Sequence, residues 1–173
     1  QVFADKKLAE IPVIGPLAWS VPGCVDGWHQ LSSRFGTKPL RELLSPSIDA
    51  ATDGYPVSEI IASSWKGAQK ELAKWPDSAR VYLPGGKAPA FGEIVKLPEL
   101  AQSYRLIAEQ GRDAFYRGPI AAEIDRFSRA NGGYLTASDL AKHTSEWIDP
   151  VRTNYRGYDV WELPPNGQGI AAL

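Results

Sequence analysis

The prevailing hydrophobic period of this chain changes close to Trp147. Before that point apolar residues mostly recur three or four positions apart; after it they alternate. Helical spacing lays one apolar stripe along each helix, and alternation lays one apolar face along each strand. The order of the two blocks predicts an α+β chain: a mainly helical lobe over residues 24–143, then a β-hairpin and the start of a core helix over 147–173.

Prolines and glycines set the boundaries. "IPVIGPLAWSVPG" holds three prolines and two glycines among apolar residues. Proline fixes φ and lacks a backbone donor, so an extended segment ending at Pro22-Gly23 is expected. Val25, Trp28, Leu31 and Phe35 then predict a helix stopped at Gly36. Thr37 is the expected cap of a second helix, with Pro39 in its first turn and Leu40, Leu43, Leu44, Ile48 and Ala51 inward; Pro46 is expected to kink it. Ser58 is the expected cap of a third, with Ile60, Ile61, Trp65, Ala68 and Leu72 inward and Pro76 closing it. Val81–Leu83 reads as a short strand before the Pro84-Gly85-Gly86 turn, and residues 93–96 as another extended piece. Helical spacing returns with Leu100, Tyr104, Ile107 and Ala108 as far as Gly111. "GRDAFYRG" reads as a short turn of helix, and Ile120–Ala130 as a helix closed by Asn131-Gly132-Gly133. Thr136, three residues before Asp139, forms a capping-box pattern. "WIDPVRTNY" and "YDVWELP" flank Arg156-Gly157 as an antiparallel hairpin. No sequence period repeats, which argues against a solenoid.

Composition narrows the function classes. Nineteen basic residues against twenty acidic give a net charge of −1, so there is neither the basic stripe of a nucleic-acid binder nor an acidic tail. Apolar residues make up 43%, enough for a core. No apolar run is long enough to span a bilayer, and nothing reads as a signal peptide. One cysteine, Cys24, permits no internal disulfide, and two distant histidines, His29 and His143, do not make a zinc site. The compartment stays open. The chain opens on Gln1, contains no methionine and closes just inside an apolar helix pattern, which predicts a piece of a longer product.

The local motifs are each weighed against a plain structural role. "PPNGQGIAAL" has glycines leading into a helix, as in phosphate loops, but no Gly-Lys-Ser/Thr; it reads as a strand-to-helix turn. Cys24, Asp26 and His29 fall within six residues, yet Cys24 and His29 are five apart on a helix and do not stack. A helix N-terminus with a buried thiol is the reading preferred. His143 suits the C-terminal end of a helix dipole. Glu10, Asp26, Asp49, Asp53, Glu93 and Glu99 show no spacing of a catalytic carboxylate pair. The tryptophans, Trp19, Trp28, Trp65, Trp75, Trp147 and Trp161, are read as packing.

Taken in order, several segments are more telling than any one of them. "WSVPGCVDGWHQLSSRFGTKPLRELLSPSIDAATDGYPV", "AEQGRDAFYRGPIAAEI", "NGGYLTASDLAKH" and "YRGYDVWELPPNGQGIAAL" follow one another across nearly the whole chain. This series resembles the large-subunit region of the γ-glutamyltranspeptidase family. The resemblance implies an N-terminal-nucleophile hydrolase with a four-layer αββα sandwich, to which the hairpin would belong. It implies a precursor that cleaves itself, a threonine at the new N-terminus of the small subunit as nucleophile, and no metal or cofactor. The expected partners are the rest of the large subunit, the small subunit and a γ-glutamyl or related acyl-amide substrate, with no nucleic acid and no membrane span.

No catalytic, cofactor-binding or metal-binding residue carries over to this chain. Thr144-Ser145 follows His143 instead of preceding a histidine, and none of Arg34, Arg41 or Arg105 sits in the family's substrate-carboxylate motif. The chain alone is therefore expected to be inactive. "PPNGQG", where the family commonly has serines, points to a divergent branch that includes cephalosporin and glutaryl acylases. A non-catalytic helical interaction module is the rival of a different class; it predicts a stable monomer, whereas a severed sandwich predicts poor solubility.

Overall fold

The computed structural model describes Asp5 and residues 7–173. Its contacts divide the chain into a helical unit ending at His143 and a second unit, Thr144–Leu173. The fold class is α+β: helices dominate, and the only regular strands among the described residues form two small antiparallel pairs.

The helical unit contains α1 (Cys24–Phe35), α2 (Leu40–Asp53), α3 (Glu59–Leu72), α4 (Pro76–Tyr82), α5 (Pro98–Gln110), α6 (Arg112–Tyr116), α7 (Pro119–Ala130) and α8 (Ala137–Lys142). Between them lie two-residue strands, β1 (Tyr55–Pro56) and β2 (Ile94–Val95). Two cores form. The first takes one buried residue from each of six helices: Val25, Leu44, Ile107, Tyr116, Ala121 and Leu140. The second gathers Ala51, Val57, Val95, Leu97 and Ala101. α2 and α5 contribute to both, and their mutual contact is the most extensive between any two helices. Arg105 ties them further by donating to the Thr52 hydroxyl at 2.6 Å.

The second core depends on Gly54. This residue leaves α2 with φ 99°, a conformation that L side chains rarely adopt. A Cβ there would stand 2.5 Å from Cγ2 of Ile94, so glycine lets the chain turn directly under β2. β1 then pairs with β2, Val57 donates to the Glu93 carbonyl at 3.0 Å, and Leu97 donates to the Ala51 carbonyl at 2.8 Å. Residues 93–96 were expected to be extended, and β2 bears this out; the pairing with Tyr55–Pro56 has no counterpart in the hydrophobic pattern.

Several expectations are corrected. Val81–Leu83 is not a strand: Val81 and Tyr82 end α4, which Pro76 opens instead of closing α3. Proline at N1 gives up a donor that has no intrahelical partner there, and Asp77 adds an acidic group to the first turn. Thr37 caps nothing; α2 begins at Leu40, with the Pro39 carbonyl accepting from Glu42 and Leu43. Ser58 does occupy the N-cap of α3, but its hydroxyl makes no capping bond. α2 runs through Pro46 as one helix. Ile60, Ile61, Leu31, Phe35 and Leu43 lie exposed although periodicity places them inward. Periodicity locates an apolar face and says nothing of what covers it. Four of the six tryptophans, Trp19, Trp75, Trp147 and Trp161, are also exposed.

The capping box forms as read: Thr136 Oγ1 accepts from the Asp139 amide, and Asp139 Oδ2 accepts from the Thr136 amide at 3.0 Å. α7 closes with Gly132 donating to Arg129 and Gly133 to Ser128, the paired bonds of a Schellman end.

The second unit is a hairpin, β3 (Val151–Tyr155) and β4 (Tyr158–Glu162), in the register Thr153 opposite Val160. Arg156 and Gly157 form its two-residue turn, with φ of 52° and 86°. Positive φ at both positions gives the turn whose twist matches that of the strands. A single turn of 3₁₀ helix follows at Gly169–Ala171, where a core helix was expected to start.

Candidate functional site

A buried polar cluster sits at the N-terminal end of α1. Asp26 is 0% exposed, and its carboxylate takes a hydrogen bond from Nε of Arg112, which is 14% exposed at the start of α6. The Nη2 of Arg112 donates to the His143 carbonyl. The guanidinium carbon lies 4.6 Å from the centroid of the Tyr116 ring, a cation–π contact. The phenol of Tyr116 accepts from the Asp26 amide at 3.0 Å and donates to the Pro22 carbonyl at 2.7 Å. Burial pushes the phenol's pKa up, which keeps it protonated and able to donate.

The His143 ring stacks on Tyr116, centroids 5.2 Å apart and planes 25° apart. Its Nε2 is buried without a hydrogen-bond partner, against Gly23. A Cβ at Gly23 would lie 3.1 Å from that nitrogen, so the absence of a side chain there lets the imidazole rest on the Val-Pro-Gly backbone. His143 does stand at the C-cap of α8, as expected, but its ring goes to Tyr116.

This cluster has the parts of a structural joint. Its guanidinium and carboxylate neutralise each other, and its phenol is used at both lone pair and proton. The structure does not assemble Cys24, Asp26 and His29 into a nucleophile, base and orienter. Asp26 is buried against Arg112, His29 is half-buried, and Cys24 is exposed, which corrects the expectation of a buried thiol. Of the other carboxylates singled out, Glu93 caps the Ala90 amide at 2.8 Å and Glu99 pairs with Arg80. Arg34, Arg41 and Arg105 lie outside the cluster, and Arg105 serves Thr52. Thr144 is exposed just after α8. Among the described residues, no three histidine, cysteine, aspartate or glutamate side chains gather as metal ligands. No described helix is long and apolar enough to cross a membrane.

A groove of about 580 Å³ opens beside Trp19, Pro22, Ile124 and Phe127. Trp19 and Phe127 stack at 5.7 Å along it. The arginines on its rim are already engaged, Arg80 with Glu99 and Arg126 with Glu123.

Sequence reasoning missed Arg112 and Tyr116. Their only local signal is the compact "GRDAFYRG" between two glycines, and Arg112 lies 86 residues from the carboxylate it serves.

The gamma-glutamyltranspeptidase family model matches residues 1–173, the full length of the chain. The chain belongs to the gamma-glutamyltranspeptidase family. It is 41% identical over 172 residues to the glutathione hydrolase-like YwrD proenzyme of Bacillus subtilis (strain 168), covering 97% of this chain and 32% of that protein. Its fold matches the crystal structure of cephalosporin acylase from Bacillus halodurans with a TM-score of 0.90 at 38% identity, covering 99% of this chain and 34% of the other. It also matches Helicobacter pylori gamma-glutamyltranspeptidase with a TM-score of 0.88 at 31% identity, covering 94% and 47%. The chain thus spans about a third of the length of the curated relative it matches. Within this family member, the Val-Pro-Gly turn, the "GRDAFY" segment and the end of α8 are the three places that the Asp26–Arg112–Tyr116 cluster joins.

Proposed function

We propose that the intact protein carrying this chain hydrolyses or transfers the acyl group of γ-glutamyl amides, glutathione among them, through a threonine acyl-enzyme. The observation that carries this reading is the family match along all 173 residues, supported by the likeness to a glutathione hydrolase-like proenzyme and a gamma-glutamyltranspeptidase structure. The threonine belongs to a small subunit outside this chain. Its hydroxyl adds to the amide carbonyl while its own α-amine takes the proton. The amine product leaves with that proton, and water or an amino-acid amine then takes the acyl group. The reading requires no metal or cofactor.

In this reading the 173 residues form part of the large subunit. Residues 24–143 are its helical lobe, and 147–173 supply a hairpin and the beginning of a core helix to an αββα sandwich. They contribute no nucleophile and are inactive alone. Their partners are the rest of the large subunit and the small subunit.

A second reading keeps the mechanism and changes the acyl group to a dicarboxylic side chain such as glutaryl. It is favoured by the likeness to a cephalosporin acylase at 38% identity and by the serine-free "PPNGQG" turn. Assays of the intact protein on γ-glutamyl-anilide and on a glutaryl amide separate the two. Denaturing mass analysis tests the premise they share: a second chain beginning with threonine is expected, and a single unprocessed species with no activity on either amide overturns both.

A further inference from the structure

The Arg112 guanidinium forms hydrogen bonds to both ends of the helical unit's closure. Through Nε it holds Asp26 in the first turn of α1, and through Nη2 it holds the carbonyl of His143, the last residue of the unit. Its face lies on Tyr116, whose hydroxyl grips Pro22 just before the Val-Pro-Gly turn ends. The remaining side-chain neighbour, the exposed Asp113, stands 3.5 Å from Nη1.

We propose that Arg112 is a latch: a single, largely covered fork that fixes the point at which the backbone leaves the helical unit by tying the His143 carbonyl to α1 and, through Tyr116, to the Val-Pro-Gly segment. The planar guanidinium is suited to this because it presents N–H groups in fixed, divergent directions to two acceptors at once. A lysine ammonium on a flexible stem can satisfy the Asp26 carboxylate but does not carry a rigid second arm. The His143 carbonyl needs such a donor. α8 is only six residues long, and beyond it the backbone turns extended, with ψ 134° at His143. The last carbonyls of a helix have no intrahelical donor, and here a side chain on α6 supplies one. Gly23 completes the latch by letting the His143 ring close against the turn.

Amide hydrogen exchange on the intact protein tests this, because a latch and a general stabiliser differ in where protection is lost. Arg112→Lys is expected to leave the first turn of α1 protected. It should speed exchange across 140–146 by at least about tenfold, the loss of one charge-assisted hydrogen bond. Amides of the second core, such as Val57 and Leu97, should exchange as in the parent. Arg112→Gln should release both the α1 turn and 140–146. Arg126→Ala, which breaks an exposed ion pair on α7, should change neither region. Wild-type protection at 140–146 in the lysine variant overturns the latch. So does an even rise across both cores, which would make Arg112 a general stabiliser. Should the glutamine variant fail to fold, the lysine variant alone decides the matter.

Discussion

The helical unit and the hairpin each contain an arginine–aspartate pair with an aromatic ring beneath the guanidinium, yet the two pairs sit in opposite surroundings. Arg112 and Asp26 are 14% and 0% exposed, and Arg112 lies over Tyr116. Arg152 and Asp159 are 55% and 37% exposed, and Arg152 lies over Trp161 at 5.1 Å. Among the described residues, every buried one lies before Thr144, and none of residues 144–173 is buried. The same chemistry therefore has two physical meanings. In the helical unit the pair is a joint whose partners have little water to fall back on. In the hairpin it is a register mark on a strand pair that has no core of its own.

The sharpest way to break this comparison is to remove one partner of the buried pair. Asp26→Asn leaves the Arg112 charge in a site with little water, and the expected loss is about 3–5 kcal/mol of the helical unit's stability. Denaturant midpoints of parent and variant, read from exchange of first-core amides, check it; a loss no larger than that of an exposed pair would show that burial does not govern the effect. Next comes Leu140→Ala. Leu140 is 0% exposed in the first core, and its truncation should cost about 2–5 kcal/mol, read in the same way.

How far the sequence carries the structure follows from the range of each interaction. The capping box at Thr136–Asp139 and the hairpin around Arg156-Gly157 are written in neighbouring residues and appear as read. α5 and α7 are likewise local, with proline at N1/N2 and a glycine or asparagine at the C-cap. Val81 and Tyr82 are helical and not a strand because a short apolar run fits both equally, and Pro76-Asp77, which suits a helix end by sequence, opens the helix instead. The exposed Ile60 and Ile61 show the other limit, since a stripe can be found without knowing whether anything packs on it. The polar joint was the least legible. Asp26 stands out in the sequence only as a neighbour of Cys24; its partner Arg112 lies 86 residues away, and single-chain patterns carry no pairing information at that distance. The family, in contrast, was legible because it rests on ordered short motifs and not on contacts.

Two further substitutions sharpen the contrast within the helical unit. Gly54→Ala should cost roughly 1–3 kcal/mol, because the added Cβ meets Ile94 at 2.5 Å and φ 99° is strained for alanine. The loss should appear in exchange of Val57 and Leu97 and spare Leu140, since only the second core is strained. Thr136→Ala removes the cap of α8 and should cost on the order of 1 kcal/mol, seen as fraying of α8. The same cap gives a pH dependence. Hydrogen bonds from the Thr136 hydroxyl and amide hold the Asp139 carboxyl below its ordinary value of 3.8. A carboxyl lowered by folding stabilises the fold above its unfolded pKa, and that stabilisation is lost as pH falls through the folded value. Protection of α8 should therefore weaken below about pH 4 in the parent and show a smaller drop in Asp139→Asn.

The smallest effect belongs to the hairpin pair and completes the comparison. Asp159→Asn removes the charge from a carboxylate that also accepts from Asn154 Nδ2 at 3.1 Å, on a strand facing Asn154 across the ladder. Water can replace what is lost on either side, so the expected cost is below about 1 kcal/mol and should shrink further in high salt. Exchange of the β3 and β4 amides in low and high salt measures it directly. A loss rivaling that of Asp26→Asn would mean that the hairpin pair is shielded in the intact protein by something that covers its face. In that case the exposure of residues 144–173 would belong to this chain in isolation, and the contrast between the two pairs would rest on what each is packed against and not on the chain's own core.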